Sequence, residues 1–442
     1  MSPMVGGPGS SPLLAIAAAN RRGEAVGLTS VCSANRVVLE TALSRAAARE
    51  AIVCAESTCN QVNQDGGYTG MTAADFRDEV AALAAGAGLP PDRLILGGDH
   101  LGPYPWRDRP AAEAMAAARE LVRSCVEAGY SKLHLDTSMR CAGDVGLEGE
   151  PLPRETAAAR AAELCRAAEE ARSELPAGAT ALAYVIGTEV PAPGGETAAS
   201  GRPAVTPARD VERVLDMTRE AFAAADVDAA WERVVAIVVQ PGVEFGDETV
   251  TDYDRDAAAG LGEALSTRPG IVFEAHSTDY QRPEALRALV EDHFGILKVG
   301  PWLTFALREA IFALEAIEGE LLGSDDAPVS GVRAALETAM LAQPEYWRPY
   351  YAGDASATRF ARAFSYSDRC RYYWPQPRVR RAVEALLGNL RSRPIPPALL
   401  SQYLPGEYER VREGRCGTDP SDLIRAHIER VLDVYGAACG ES

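Results

Sequence analysis

The chain has 442 residues, and its 44 Lys and Arg against 63 Asp and Glu give a formal net charge of -19. This acidic balance argues against nucleic acid or an anionic membrane surface as the main partner, because both are polyanions. No apolar run reaches the ~20 residues of a membrane span, and the arginines near the N-terminus follow the run "LLAIAAAN" instead of preceding it. We therefore expect a cytoplasmic protein, and the scattered cysteines, which lack zinc-finger spacing, are expected to be free thiols.

Short β-type runs alternate with long Ala-rich stretches along most of the chain. The runs are "EAVGLTSV", "EAIVCAES", "RLILGGDH", "SKLHLDTS", "ATALAYVIGTE", "RVVAIVVQPG", "GIVFEAHS" and "GILKVGP". Alternating β and α elements predict a parallel sheet. About eight such units fit a (β/α)8 TIM barrel better than an open sheet.

The segments between these runs carry helix-end signals. In "MTAADF", Thr72 is the expected N-cap with Asp75 three residues later. Gly129 closes a long Ala-rich stretch at the position of a left-handed C-cap. The pattern changes near residue 320, so we expect a barrel over residues 1–320 and a helical C-terminal extension over 321–442 that packs on it. Residues 191–209, rich in Gly, Pro and Ala, are expected to form a long loop after the fifth strand.

Polar residues collect where the predicted strands end, which is where a TIM barrel places its active site. Burial of unpaired charges is costly, so packing alone does not account for this pattern. The residues are Ser30, Cys32, Glu56, Asp99, His100, Asp136, Glu189, Gln240, Glu244, His276 and Lys298.

His100 and His276 are the best candidates for metal ligands, with Glu189 as the carboxylate that completes the set; Asp136 is also available. Imidazole and carboxylate suit a divalent ion of the Zn, Mn, Ni or Mg type. The alternative for each histidine is a hydrogen-bonded core residue. Gly97 and Gly98 relax the backbone before Asp99, so that Asp99 and His100 could both reach one cavity.

A carboxylate beside a metal ligand is well placed for proton transfer, which makes Asp99 the leading catalytic candidate, with Glu56 and Asp136 beside it. His134 alternates with Asp136 in "KLHLD" and shares its face, but lies deeper in the strand and is as compatible with structure as with function. His293 and His427 are interpreted as surface or packing residues.

Substrate contacts are expected in four loops. Lys298 and Gly300 precede a helix after the last strand, where barrels often bind phosphate, and Ser277 lies in the neighbouring loop. The alternative is that Gly300 only turns the chain. Asn60, Gln64 and Gln240 could bind sugar hydroxyls, although the amides after Glu56 could equally tie their own loop together. Arg369 and Arg371 could reach a substrate phosphate, but packing or a subunit contact is the preferred interpretation.

Several blocks resemble one known family. They are "SVCSAN", "NQVNQDGGYTGMTAADFRD", "LGGDHLGP", "KLHLDTSM", "YVIGTEVPAPGGE", "VVQPGVEFG", "FEAHSTDYQ", "ILKVGPWLTFALREAIFALEAIE", "RYYWP" and "SQYLP". They are similar to the non-catalytic subunits of class II tagatose-1,6-bisphosphate aldolases, the GatZ/KbaZ-like family. The resemblance runs from about residue 12 almost to the C-terminus and implies a class II aldolase-like barrel.

The resemblance implies an accessory subunit that stabilises and activates a smaller catalytic aldolase subunit in galactitol, N-acetylgalactosamine or tagatose 6-phosphate catabolism. It also implies that His100 is a metal ligand beside a proton-handling Asp99, with His276 as a second ligand. The fifth strand offers Glu189 where catalytic aldolases use a histidine, which alters the expected metal set. The alternative is an enzyme active on its own: a metal-dependent C4 epimerase of fructose and tagatose 6-phosphates, or an aldolase-type lyase. A homo-oligomer is compatible with either role.

Overall fold

A computed structural model describes residues 11–145, 152–176, 181–187, 202–322 and 328–441. Eight parallel strands, numbered here in chain order, close into a barrel in which each strand pairs with the next and β8 returns to β1 through the Leu28–Ile296 pair. The strands are β1 (Leu28–Cys32), β2 (Val53–Thr58), β3 (Leu94–Leu101), β4 (Lys132–Leu135), β5 (Ala183–Ile186), β6 (Val234–Val238), β7 (Val272–Ala275) and β8 (Ile296–Val299). Each predicted run overlaps one of them, so the predicted TIM barrel is confirmed.

Helices surround the barrel and continue beyond it. They are α1 (Pro12–Arg21), α2 (Arg36–Ala48), α3 (Ala73–Ala87), α4 (Ala111–Glu127), α5 (Arg154–Ser173), α6 (Ala208–Ala224), α7 (Arg255–Ala258), α8 (Leu261–Ala264), α9 (Pro283–Glu291), α10 (Pro301–Leu322), α11 (Val332–Ala342), α12 (Ala355–Phe364), α13 (Pro377–Ser392), α14 (Pro397–Tyr403), α15 (Pro405–Arg412) and α16 (Pro420–Ala438). A short antiparallel pair, Glu244–Phe245 with Val250–Thr251, follows β6. Among the described residues, no helix has both the length and the apolar character needed to cross a membrane.

Local signals account for several helix ends. The Thr72 side chain accepts the N–H of Asp75, and the Asp75 carboxylate accepts the N–H of Thr72, so the predicted capping box starts α3. Gly129 has a φ of 92°, a left-handed conformation that glycine adopts without a Cβ clash, just past the end of α4.

The C-terminal region is helical, as predicted, and it packs back onto the barrel. Helix α16 lies against α2, α9 and α10, and the Tyr435 hydroxyl donates to the backbone oxygen of Thr278 at 2.8 Å. The division of the chain at residue 320 stays a prediction, and α10 runs across it to Leu322.

The barrel interior changes from apolar to charged along its axis. At the N-terminal ends of the strands, Leu28, Ile95 and Ile296 pack with Leu13 and Ile16 of α1 in one buried apolar cluster. Residues two positions further along a strand share its face. At those positions the strands carry charge: Cys54 is followed by Glu56, Val272 by Glu274 and Ile296 by Lys298. The chain therefore builds a buried charged layer directly beneath the mouth of the barrel.

Candidate functional site

The backbone of β3 explains how neighbours Asp99 and His100 both point into the barrel. The β3–β4 register shifts between Gly98 and Leu101, and His100 has a φ of 49°. This left-handed conformation is unusual for a non-glycine residue and turns its side chain to the face that Asp99 already occupies. The two glycines also lie where an added Cβ would collide with a neighbouring side chain. A Cβ on Gly97 would lie 2.6 Å from Cγ of Glu56, so Gly97 makes room for that side chain.

Three imidazoles lie together, and each is held by a carboxylate. Their ring centroids form a triangle with sides of 5.0, 5.1 and 5.3 Å. The pairs are His100 Nδ1 with Asp136 Oδ2 at 2.7 Å, His134 Nδ1 with Asp99 Oδ1 at 2.9 Å, and His276 Nε2 with Glu274 Oε1 at 2.9 Å. A carboxylate on one ring nitrogen fixes the orientation and tautomer of a metal-ligating histidine.

A group of metal-type donors forms around two of these rings. One donor atom from each of Asp99, His134, Glu274 and His276 lies within 4.8 Å of the others. Nε2 of His134 is buried and has no hydrogen-bond partner. Burial lowers the pKa of His276 to about 4, which keeps this imidazole neutral, as metal binding requires. Two imidazoles with carboxylates suit zinc and similar divalent ions, so these residues fit a metal ion.

The buried charged layer of the barrel, beneath the three imidazoles, consists of ion pairs. Lys132 contacts both Glu56 and Glu274, the latter at 2.7 Å, and Lys298 contacts both Glu56 and Asp99, the latter at 3.0 Å. Burial raises the pKa of Asp99, but the charges on His100 and Lys298 outweigh it and hold the pKa well below its usual value. In the same way, Lys132 overcomes the effect of burial and lowers the pKa of Glu274. Both carboxyls are therefore ionised at neutral pH.

A cavity opens directly above this layer. Asp99, His100, His276 and Lys298 form part of its floor, and the expected substrate residues Asn60, Ser277 and Gly300 line its wall. Ser277 has a φ of 54°. Residues held in sparsely populated backbone regions cluster at functional sites.

The remaining expected residues lie elsewhere. The Gln64 amide donates to the backbone oxygen of Ala117, and the Gln240 side chain accepts the N–H groups of Gly242 and Val243, so both hold loops and neither lines the cavity. Glu56 is fully buried beneath the cavity between two lysines. Asp136 orients His100 and also accepts from Ser138 at 2.6 Å. Glu189 lies outside the described residues, as does most of the loop expected over 191–209.

Lys132, Glu274 and Asp279 were not identified as site residues from the sequence. His134 was placed deep in its strand, and a functional role was not favoured over a structural one. The signal for three of them was period-two alternation. Lys132, His134 and Asp136 share one strand face, and so do Glu274 and His276. Arg371, for which packing or a subunit contact was the preferred interpretation, also lines the cavity, together with Tyr372 from the same C-terminal region.

One solved structure of high sequence identity agrees with this architecture, and two others match at low identity. A crystal structure of a probable tagatose 6 phosphate kinase from Sinorhizobium meliloti 1021 has 46% sequence identity and a TM-score of 0.83, covering 93% of this chain and 100% of that one. The YdjI aldolase from Escherichia coli K12 has 10% identity and a TM-score of 0.42, covering 85% of this chain and 95% of that one. Fructose-bisphosphate aldolase from Campylobacter jejuni has 13% identity and a TM-score of 0.45, with 87% and 94% covered. Similarities as low as these last two carry no argument about activity.

The family profile gives the assignment. The profile described as D-tagatose-1,6-bisphosphate aldolase subunit GatZ/KbaZ-like matches residues 13–440, which is nearly the whole sequence. The chain therefore belongs to the GatZ/KbaZ-like family of D-tagatose-1,6-bisphosphate aldolase subunits.

Proposed function

We propose that this aldolase-family subunit carries its own divalent metal site and uses it to turn over a ketose phosphate by aldol-type chemistry at C4. The reaction would be epimerisation of fructose and tagatose 6-phosphates or cleavage of the bond between C3 and C4. The donor group of Asp99, His134, Glu274 and His276, with its unpartnered His134 nitrogen, carries the proposal.

The charge of the buried cluster supports a bound cation. Burial lowers the pKa of His100, but the charges of Asp99 and Asp136 outweigh this and raise it, so His100 is counted as protonated. Four carboxylates then face two ammonium groups and one imidazolium, which leaves one negative charge out of water. Unbalanced buried charge is costly, and a bound cation would offset it. The charged groups are Glu56, Asp99, Asp136 and Glu274 against Lys132, Lys298 and His100.

The residues divide into holding and proton-transfer roles. His134, His276 and Glu274 would hold the ion, a His2Glu set of the kind that leaves a position open in catalytic zinc sites. A bound divalent ion supplies Lewis acidity to a substrate carbonyl. Asp99 would accept the proton of the C4 hydroxyl, because Lys298 and His134 keep its carboxylate ionised and fixed in orientation.

The test combines metal analysis with an activity assay on the full chain. The purified protein is analysed by mass spectrometry for bound metal and assayed with tagatose 6-phosphate, fructose 6-phosphate and tagatose 1,6-bisphosphate. We expect near-stoichiometric metal and turnover, with both lost in His134→Ala and His276→Ala. His427→Gln is the matched control, because His427 lies in α16 and pairs with Glu407 and Glu309. A folded protein that takes up no metal and turns over none of the three sugars would overturn the proposal.

An accessory role is the second candidate, and the family description as an aldolase subunit favours it. In that role the chain stabilises and activates a separate catalytic aldolase subunit. Adding the wild-type chain to that subunit would then raise its aldolase activity, and the His276→Ala variant would raise it equally. A loss of activation in His276→Ala, with association intact, would instead link activation to the metal site.

A further inference from the structure

TIM barrels commonly bind phosphate at the start of the helix after the last strand, but in this chain a carboxylate side chain already occupies that position. Phosphate groups bind backbone N–H groups at a helix N-terminus after strands seven and eight. Here Oδ1 of Asp279 accepts the N–H of Gly300 at 3.0 Å and that of Trp302 at 2.8 Å, at the start of α10. Asp279 is buried and lines the cavity. A phosphate at this helix start would meet the carboxylate and be repelled.

The cavity wall carries a different cation, Arg371, contributed by the C-terminal region. The other lining lysine or arginine, Lys298, is already paired with Glu56 and Asp99. No described carboxylate lies within ion-pair distance of the Arg371 guanidinium. Its recorded partners are the backbone oxygens of Ser367 and Asp368 and the Tyr372 hydroxyl, the last at 3.0 Å. The charges of Asp368 and Asp279 act on Arg371 from a distance, but neither carboxylate forms an ion pair with the guanidinium, which stays available to an anionic ligand in the cavity.

Aromatic residues from two distant segments fix this arginine at the cavity mouth. The Arg371 guanidinium lies 4.6 Å from the centroid of the Tyr372 ring. That ring stacks on Tyr346 with centroids 4.8 Å apart and planes at 7°, and the edge-on ring of Tyr68, from the loop after β2, lies 4.6 Å away. A guanidinium that is already fixed in position before a ligand binds loses little conformational entropy on binding.

We propose that Arg371 binds the phosphate group of the ketose phosphate, in the role that the α10 N-terminus would otherwise have. This assignment rests on the proposed function and names the residue that selects phosphorylated substrates. The planar guanidinium fork matches a phosphate with two parallel hydrogen bonds, and a lysine does not reproduce that geometry. Asp279 strengthens the selection of this position by excluding phosphate from the helix start.

Calorimetric titration of the full chain with fructose 6-phosphate, fructose and inorganic phosphate tests the assignment. Arg371→Gln should weaken fructose 6-phosphate binding by about 10- to 100-fold, the loss expected for a bidentate charged contact, and should leave fructose binding unchanged. Arg378→Gln is the matched control, since Arg378 is an exposed arginine of α13 in the same region and does not line the cavity. Equal loss for fructose and fructose 6-phosphate would overturn the assignment, as would an unchanged phosphate preference.

Two further variants keep the test decisive if Arg371→Gln does not fold. Arg371→Lys keeps the charge but loses the fork, and should weaken phosphate binding to a smaller extent. Asp279→Asn keeps an acceptor for the helix N–H groups but removes the repelling charge, and should tighten fructose 6-phosphate binding without affecting fructose. No change in either variant overturns the assignment. Failure of the proposed function would be seen separately. In that case the wild-type protein would bind fructose 6-phosphate but would contain no metal and show no turnover, and neither of these measurements depends on Arg371.

Discussion

Oδ1 of Asp99 lies 2.9 Å from Nδ1 of His134, so one carboxylate bond fixes the imidazole of the neighbouring strand. The other oxygen of Asp99 lies 3.0 Å from Nζ of Lys298, and both residues line the cavity. One residue therefore joins the metal-type donors, the ionic layer and the space where a substrate would bind. This position makes Asp99 the most informative residue to change.

Asp99→Asn should separate chemistry from metal binding. The amide keeps the size of the side chain and can still accept from His134, but it is a poor proton acceptor at neutral pH. We expect kcat to fall by about 10²- to 10⁴-fold while bound metal is retained. Asp65→Asn, whose carboxylate accepts from the Trp106 indole at 2.9 Å, is the control. Unchanged kcat in Asp99→Asn would rule out its role as the base.

Lys132→Met should strongly destabilise the fold. The Lys132 side chain has no solvent exposure and lies between Glu56 and Glu274, so removing its charge leaves two buried carboxylates short of a partner. Breaking a buried ion pair in this way costs about 3–5 kcal/mol of unfolding free energy. Urea unfolding measures the loss. Adding Glu56→Gln to Lys132→Met should recover part of it, and strictly additive losses would show that the pair does not interact.

Gly97→Ala should lower stability because the added methyl has no room. Its Cβ would lie 2.6 Å from Cγ of Glu56, a side chain held on both sides by lysines. Overpacking of this kind costs about 1–3 kcal/mol. In the control, Gly86→Ala in α3, a new Cβ meets nothing within 4 Å, and replacing a helical glycine should stabilise by about 0.5–1 kcal/mol. Equal thermal shifts for the two variants would contradict this account.

His427 should make stability depend on pH far from the cavity. Burial lowers its pKa, but the carboxylates of Glu309 and Glu407, at 3.2 and 3.0 Å, outweigh this and raise the pKa to about 9. The unfolded value is near 6.5, so the stabilisation is complete below that pH and is lost as pH rises through about 9. Over that range it amounts to at most about 3 kcal/mol.

The measurement is urea unfolding of wild type and His427→Gln at pH 6 and pH 9.5. The free energy of unfolding of the wild type should be clearly larger than that of the variant at pH 6, and the difference should be much smaller at pH 9.5. A difference that does not change with pH would mean that His427 contributes through packing and not through its charge.

The sequence by itself determined the barrel and much of the candidate site. Strand alternation and helix-end signals are local, so the eight strands, the Thr72 capping box and the left-handed Gly129 could be predicted from short segments. Because every strand of a barrel ends at the same rim, the rule for strand ends also identified Asp99, His276 and Lys298 as candidates, and all three line the cavity.

Only the tertiary structure decided which of these side chains meet. Period-two alternation gives the strand face on which His134 and Glu274 lie. Closure of the barrel then brings these side chains, from β4 and β7, close enough to form one group of donors. The side to which His100 points depends on a positive φ and a register shift between neighbouring strands. Arg371 reaches the cavity from a segment that follows the whole barrel, through ring contacts between residues far apart in the chain. Such contacts depend on long-range packing, and the local patterns of a sequence carry no record of them.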